Sequence, residues 1–327
     1  MMATGNDRRH NTNMARVFVT RQLPGPALRR LSDHYDTFVW PDATPPGSAE
    51  LQRHVADAEA LLSLVTDRID ADVIAAAPKL KVIANYAVGY DNIDVAAAEE
   101  RGIAIGNTAD ALTEAVADLA FALLMASARH LQSAADNARA GEWRNWEPGA
   151  FLGADIYGAT IGIIGIGRIG QAVARRAAGF GMEVLTAERG NEHDLEHLLR
   201  SADFVSIHCP LTAETYHLIS TETLALMKPG AVLINTARGG IVDQVALAAA
   251  LSEGRLASAA LDVTDPEPLP LDDPLWQAPN LLVVPHIGSA THTARRQMAE
   301  MAVDNVIAGL EGQPLPYAIT SDSGHLA

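Results

Sequence analysis

The sequence predicts an α/β protein of two doubly wound parallel-sheet domains with a cleft between them. Three observations carry that expectation. Short β-rich runs alternate with longer helical ones along most of the 327 residues. One strand-to-helix junction, at 160–170, is spaced with glycines. Three later apolar runs each end in polar, chemistry-bearing residues, and the C-terminal strand ends of open parallel sheets are where ligands bind. At roughly 150 residues per domain the length fits two domains.

Taken in order, 1–13 (MMATGNDRRHNTN) is a polar tail with no apolar signal region, and the folded part opens at Met14. RVFVT at 16–20 is a strand, followed by a helix around 26–34. Further strands are expected at 60–64, 81–85 and 103–106, with a helix around 71–77. Asn107–Asp110 is a polar stretch of capping type before a long Ala/Leu-rich helix at 113–131. An irregular segment at 141–157 holds Trp143, Trp146 and Pro148. A second series of strands follows at 160–165, 183–186, 204–208, 231–235, 257–262 and 281–285, closed by a helix over 291–309. The expected division is 14–112 with 296–327 in one discontinuous substrate domain, and 113–295 in a dinucleotide-binding domain.

The junction at 160–170 reads TIGIIGIGRIG. An apolar strand runs into Gly165-Ile166-Gly167-Arg168-Ile169-Gly170, a helix follows, and a second strand comes about twenty residues on. Gly165 permits the tight turn, Gly167 the approach of a pyrophosphate, and Gly170 close packing of helix on strand. The helix N-terminus offers N–H groups and positive dipole to the phosphates. That makes the fold Rossmann-like. The second strand ends near Glu188, a carboxylate suited to a ribose 2′-OH, followed by Arg189, which suits a 2′-phosphate. The pair points both ways; NAD is expected, with NADP the alternative.

Three strand ends complete the pattern. The run 231–235 leads into Thr236, Ala237 and Arg238; 257–261 into Asp262 and Glu267; 281–284 into His286, Gly288 and Ser289. Together they place an Arg, a Glu and a His on one rim beside the dinucleotide turn. His193 and His197 stand at i, i+4 on a helix rich in acidic residues, a spacing that can bind metal. We read it as a solvated charged face and expect no metal. Cys209, the one cysteine, is read as packing.

These segments carry a resemblance. The chain resembles the D-isomer-specific 2-hydroxyacid dehydrogenases through GIGRIG, NTARGGIVD, LDVTDPEP, PHIGSAT and, at 85–95, NYAVGYDNIDV, over about 14–316. Within that family LDVTDPEPLP, PHIGSAT and GEWRNWEP look most like the glyoxylate/hydroxypyruvate reductases. The resemblance implies reduction of a small 2-keto acid to the D-2-hydroxy acid. Arg238 would clamp the carboxylate and polarise the keto oxygen through its planar fork of donors. His286 would be the general acid, with Glu267 fixing its tautomer and favouring the imidazolium. The N–H groups of Val88 and Gly89 would hold the carboxylate, and Ser289 would touch substrate or cap the next helix. Asp262 would hold the nicotinamide carboxamide. Thr113, Arg168, Ile169, Pro210, Thr215, Thr236, Ala237 and Gly288 would line the dinucleotide. The alternatives are a D-lactate, formate or 3-phosphoglycerate dehydrogenase of the same family, or a non-enzymatic NAD-sensing, corepressor-like binding protein of the same fold. One departure stands out: 189–201 is nearly all one helix, where the family has a longer insert with an extra short strand.

Composition narrows the partners. With 24 basic and 40 acidic side chains the net charge is −16, which disfavours nucleic acid and anionic membranes. One cysteine excludes an internal disulfide. A cytoplasmic protein is expected. The apolar arc Leu119, Phe121, Leu123, Leu124 and Met125 is too wide for one core face. With the two tryptophans nearby, it predicts a homodimer through 113–131 and 141–157.

Overall fold

Alternation of apolar strands with amphipathic helices produces two parallel sheets in the computed structural model, which describes residues 14–187 and 190–319. The described residues of Met1–Leu112 and Thr291–His325 form one unit, and Thr113–Ala290 forms the other. The second change-over falls at Ala290–Thr291, where the sequence reading places it at Arg295. The expected tail at 1–13 and the chain end at 320–327 lie outside the described residues, as do Glu188 and Arg189.

The first unit contains β1 (Arg16–Val19), α1 (Ala27–Ser32), β2 (Asp36–Val39), α2 (Ser48–Val55), β3 (Ala60–Leu64), α3 (Ala71–Ala75), β4 (Val82–Tyr86), α4 (Val95–Glu100) and β5 (Ala104–Gly106). Its strands lie in the order β2-β1-β3-β4-β5, all parallel. In β3 and β4 nearly every residue is buried, because helices cover both faces of a parallel sheet. Sequence reading did not single out β2, whose residues are half-buried or exposed on the sheet edge.

The second unit opens with α5 (Thr113–Ala128) and α6 (Leu131–Arg139). It continues through β6 (Thr160–Ile164), α7 (Arg168–Gly179), β7 (Glu183–Ala187), α8 (Glu192–Ser201), β8 (Phe204–Ile207), α9 (Thr221–Leu224), β9 (Val232–Asn235), α10 (Gln244–Ser252), β10 (Ser258–Leu261) and β11 (Leu281–Val283). Strand order is β11-β10-β9-β8-β6-β7, again parallel. The order reverses between β6 and β8, the switch point at which such sheets bind ligands. Only α8 joins β7 to β8 among the described residues, so the shortened insert carries no strand there. The last helix, α11 (His292–Leu310), belongs to the first unit. It is capped by the Thr291 side chain and packs on β3 and β4.

One expectation about α5 is corrected and another is met in part. The helix ends at Ala128, not 131: His130 turns left-handed at φ +51°, and Leu131 starts α6. The Ala128 carbonyl accepts the Ala154 N–H at 2.9 Å, and Gly153 lacks the side chain that would collide with it. The wide apolar arc is covered within the unit only in part, for Leu119 and Met125 stay half-buried. Phe121, Leu123 and Leu124 are buried, since α5 lies against α7, β9 and β10 at once. What stays open is the segment beyond it: Trp143 is 73% and Trp146 81% exposed, with Leu152 and Tyr157 beside them in sequence. No helix among the described residues is long and apolar enough to cross a membrane.

Candidate active site

The glycine turn after β6 has the conformation its spacing demands. Gly165 stands at φ +94°, where a side chain would be strained and would collide with the backbone of His208 and Cys209. A β-carbon on Gly170 would strike the Gly165 carbonyl, so α7 can sit this close only without one. Gly167 precedes α7 in extended conformation, and no side chain caps the helix. The uncapped N-terminus, at the switch point, fits a pyrophosphate. Arg168 is exposed, Ile169 half-buried.

Next along the strand ends, β8 leads into His208, Cys209 and Pro210. His208 is buried, with Nε2 2.8 Å from Ser206 Oγ and Nδ1 3.5 Å from Thr236 Oγ1. Burial pushes its pKa down to about 4, so the ring is neutral. Burial likewise pushes the Cys209 thiol up to about 11, which suits packing and not nucleophilic attack. Thr215 Oγ1 donates to the Pro210 carbonyl at 2.7 Å and holds that loop. Thr113 is half-buried at the start of α5.

At the end of β9 a fully buried asparagine shapes the turn. Asn235 donates from Nδ2 to the Arg238 carbonyl at 2.8 Å and accepts the Ala237 N–H at 3.0 Å. Those bonds bracket Thr236, Ala237 and Arg238, all half-buried. Arg238 Nη1 donates to the Ala237 carbonyl at 2.8 Å. Gly239 then lets the backbone of Thr264, in the loop after β10, pass where a side chain would be.

The β10 and β11 loops meet through Asp262. Its two oxygens accept the Ile287 N–H at 2.6 Å and the Gly288 N–H at 2.8 Å. Asp262 is 2% exposed, and burial raises its pKa against those two bonds and the His286 ring. A β-carbon on Gly288 would press on Asp262 at 3.0 Å. The His286 N–H donates to the Asp262 carbonyl at 2.9 Å, with φ at +52°. So held, His286 brings Nδ1 to 2.8 Å from Glu267 Oε2, and the other Glu267 oxygen accepts the Thr264 N–H at 3.2 Å. The pair is about one-third exposed, open enough for a small ligand. Ser289 follows, half-buried.

Val88 and Gly89 belong to the first unit, in the loop after β4. Their carbonyls are held by side-chain amides, Val88 by Asn107 Nδ2 at 2.8 Å and Gly89 by Asn85 Nδ2 at 2.9 Å. Asn107 therefore grips this loop instead of capping the next helix. Behind it Asn305 of α11, fully buried, donates to the Asn107 carbonyl at 3.2 Å. Asn85, Asn107, Asn235 and Asn305 were not candidate residues from sequence. For the first three the signal was an amide at or just beyond a strand end, and nothing in spacing says which backbone it will hold. On α8, His193 and His197 are exposed, and no cluster of three or more His, Cys, Asp or Glu side chains among the described residues is arranged for a metal ion.

Comparison with known proteins agrees with this architecture. Residues 121–288 match the family described as "D-isomer specific 2-hydroxyacid dehydrogenase, NAD binding domain". The chain is 49% identical to a glyoxylate reductase of Korarchaeum cryptofilum, over 94% of this chain and 96% of that protein. A crystal structure of a protein from Thermus thermophilus superposes with a TM-score of 0.88 at 50% identity, covering 93% of this chain and all of the other. An NADPH-dependent glyoxylate/hydroxypyruvate reductase of Sinorhizobium meliloti, solved with NADP and malonate, gives 0.81 at 30% identity, covering 96% and 99%. By that family match over half of its length, and by the 49% identity across 94% of it, the chain belongs to the D-isomer-specific 2-hydroxyacid dehydrogenases.

Proposed function

We propose that this protein is a reductase of the glyoxylate/hydroxypyruvate type, converting a small 2-keto acid to the D-2-hydroxy acid with NADH, or NADPH as the alternative. The observation that carries the reading is the 2.8 Å contact between His286 Nδ1 and Glu267, on the strand-end rim that also bears Arg238. A bound nicotinamide supplies the hydride to C2 of the keto acid.

The chain's own residues do the rest. Arg238 forks onto the substrate carboxylate and keto oxygen, drawing charge toward the oxygen as it becomes an alkoxide. His286, with Nδ1 engaged by Glu267, presents Nε2 as the proton donor to that oxygen. Hydride and proton together reduce C=O to CH–OH, and the imidazole is left neutral until it takes a proton from solvent. The N–H groups of Val88 and Gly89 hold the carboxylate, and Ser289 touches the substrate. Gly165, Gly167, Arg168, Ile169 and Gly170 receive the pyrophosphate side of the cofactor. Thr113, Pro210, Thr215, Thr236, Ala237, Asp262 and Gly288 line the rest. Each Asp262 oxygen already accepts one N–H and keeps a second lone pair for a carboxamide. Glu188 and Arg189 are assigned to the adenosine end from sequence.

We further assign the protein to the cytoplasm and to a homodimer through 113–131 and 141–157. The test of function is loss of 340-nm absorbance with a panel of 2-keto acids, using NADH and NADPH in parallel. Turnover of glyoxylate or hydroxypyruvate is expected. Cofactor binding without turnover of any 2-keto acid would refute the enzyme and favour a binding protein.

A further inference from the structure

Gln244, the first residue of α10, makes two hydrogen bonds to a single residue of the loop that carries Glu267. Its Nε2 donates to the Asp265 carbonyl at 2.7 Å, and its Oε1 accepts the Asp265 N–H at 2.9 Å. A side-chain amide sets one donor and one acceptor side by side, as a neighbouring strand does. The Asp265 backbone is thus paired although no strand runs beside it. The start of α10 does not need this side chain. Asp243 caps it, accepting the Val245 and Ala246 N–H groups at 3.0 Å each.

From another direction the same loop touches Gly239, where the backbone of Thr264 and Asp265 fills the space of a missing side chain. Thr264 in turn donates its N–H to Glu267 Oε1 at 3.2 Å and its hydroxyl to the Pro266 carbonyl at 2.9 Å. The chain of contacts runs from Gln244 to the Asp265 backbone, to Thr264, to the Glu267 carboxylate and to His286. We propose that Gln244 is a positioning residue for the proton-donating pair, acting only by holding Asp265 so that Glu267 stays within reach of His286 Nδ1. This rests on the reading of His286 and Glu267 as that pair.

The experiment is a double-mutant cycle in kcat for glyoxylate, with Gln244→Ala, Glu267→Gln and the two combined. Gln244→Met, which keeps the stem and removes the amide, is made beside the alanine variant should that one fold poorly. Gln244→Ala and Gln244→Met are each expected to lower kcat about 3–10-fold, the scale of one or two part-exposed hydrogen bonds. The KM for glyoxylate and the Kd for NADH should be unchanged. In the Glu267→Gln background either substitution should have no further effect. Wild-type kcat in both Gln244 variants, or losses that multiply in the double variants, would overturn the positioning role while the acid pair stands. Wild-type kcat in Glu267→Gln alone would instead overturn the pair, and this proposal with it.

Discussion

The backbone of Thr264 occupies the place where a β-carbon of Gly239 would sit. Two loops, one bearing Arg238 and the other Glu267, are therefore packed backbone to backbone. Gly239→Ala must push them apart, and the cost of such overpacking is about 1–3 kcal/mol. A lower urea midpoint together with a fall in kcat is expected. An alanine variant with wild-type kcat would show that the spacing of the two loops does not matter to turnover.

Removing the proposed proton donor should leave binding intact. His286→Ala is expected to lower kcat by about 10²–10⁴-fold. NADH affinity, followed by fluorescence, should change little. Unchanged turnover of hydroxypyruvate would refute the assignment.

Arg238→Lys is expected to fail as well. One ammonium cannot reproduce a planar two-pronged clamp. Because the carboxylate is common to every candidate substrate, kcat/KM should fall with all 2-keto acids tested. A loss confined to one of them would place Arg238 on the substrate side chain instead.

His208 makes the fold acid-sensitive in a defined window. Burial holds its pKa near 4, below the ordinary 6.5, so the unfolded chain binds the proton more readily. The associated stability is fully present above pH 6.5 and is lost as pH falls toward 4, up to about 3 kcal/mol. Urea melts of the wild type and His208→Asn at pH of about 7.5 and about 4.5 separate this from the carboxylates. The variant should lose less stability between the two pH values; an equal loss would refute the neutral buried ring.

Trp143 and Trp146 stand largely exposed in a segment that also bears Leu152 and Tyr157. Large apolar side chains left this open are what a two-fold contact would cover. Sedimentation is expected to give twice the 34.6 kDa chain mass at micromolar concentration. A monomer there would count against the dimer decisively.

Much of the candidate site was legible because its residue types are forced. Gly165 and Gly170 answer to steric limits that no other residue meets, and Arg238, Glu267 and His286 stand where apolar strands stop. The parts that escaped notice obey weaker local rules. The edge strand β2 is half-buried and lacks a full apolar run. His130 ends α5 in a left-handed turn with neither Gly nor Pro to announce it. Asn107 has the composition of a cap, yet its partner is the Val88 carbonyl, far back along the chain. Contacts of that kind are set by which strands become neighbours, and no local pattern encodes them.

The left-handed backbone of His286 bears on any attempt to redesign the enzyme. At φ +52° the position tolerates Gly, Asn or Asp and penalises branched side chains, whatever their chemistry. A saturation library at this codon would therefore sample two properties at once. Valine or isoleucine would be lost to misplacement of the loop before their reactivity was tried. Asparagine, which keeps the turn and removes the proton, is the informative neighbour, and its activity measures the imidazole apart from the backbone that carries it.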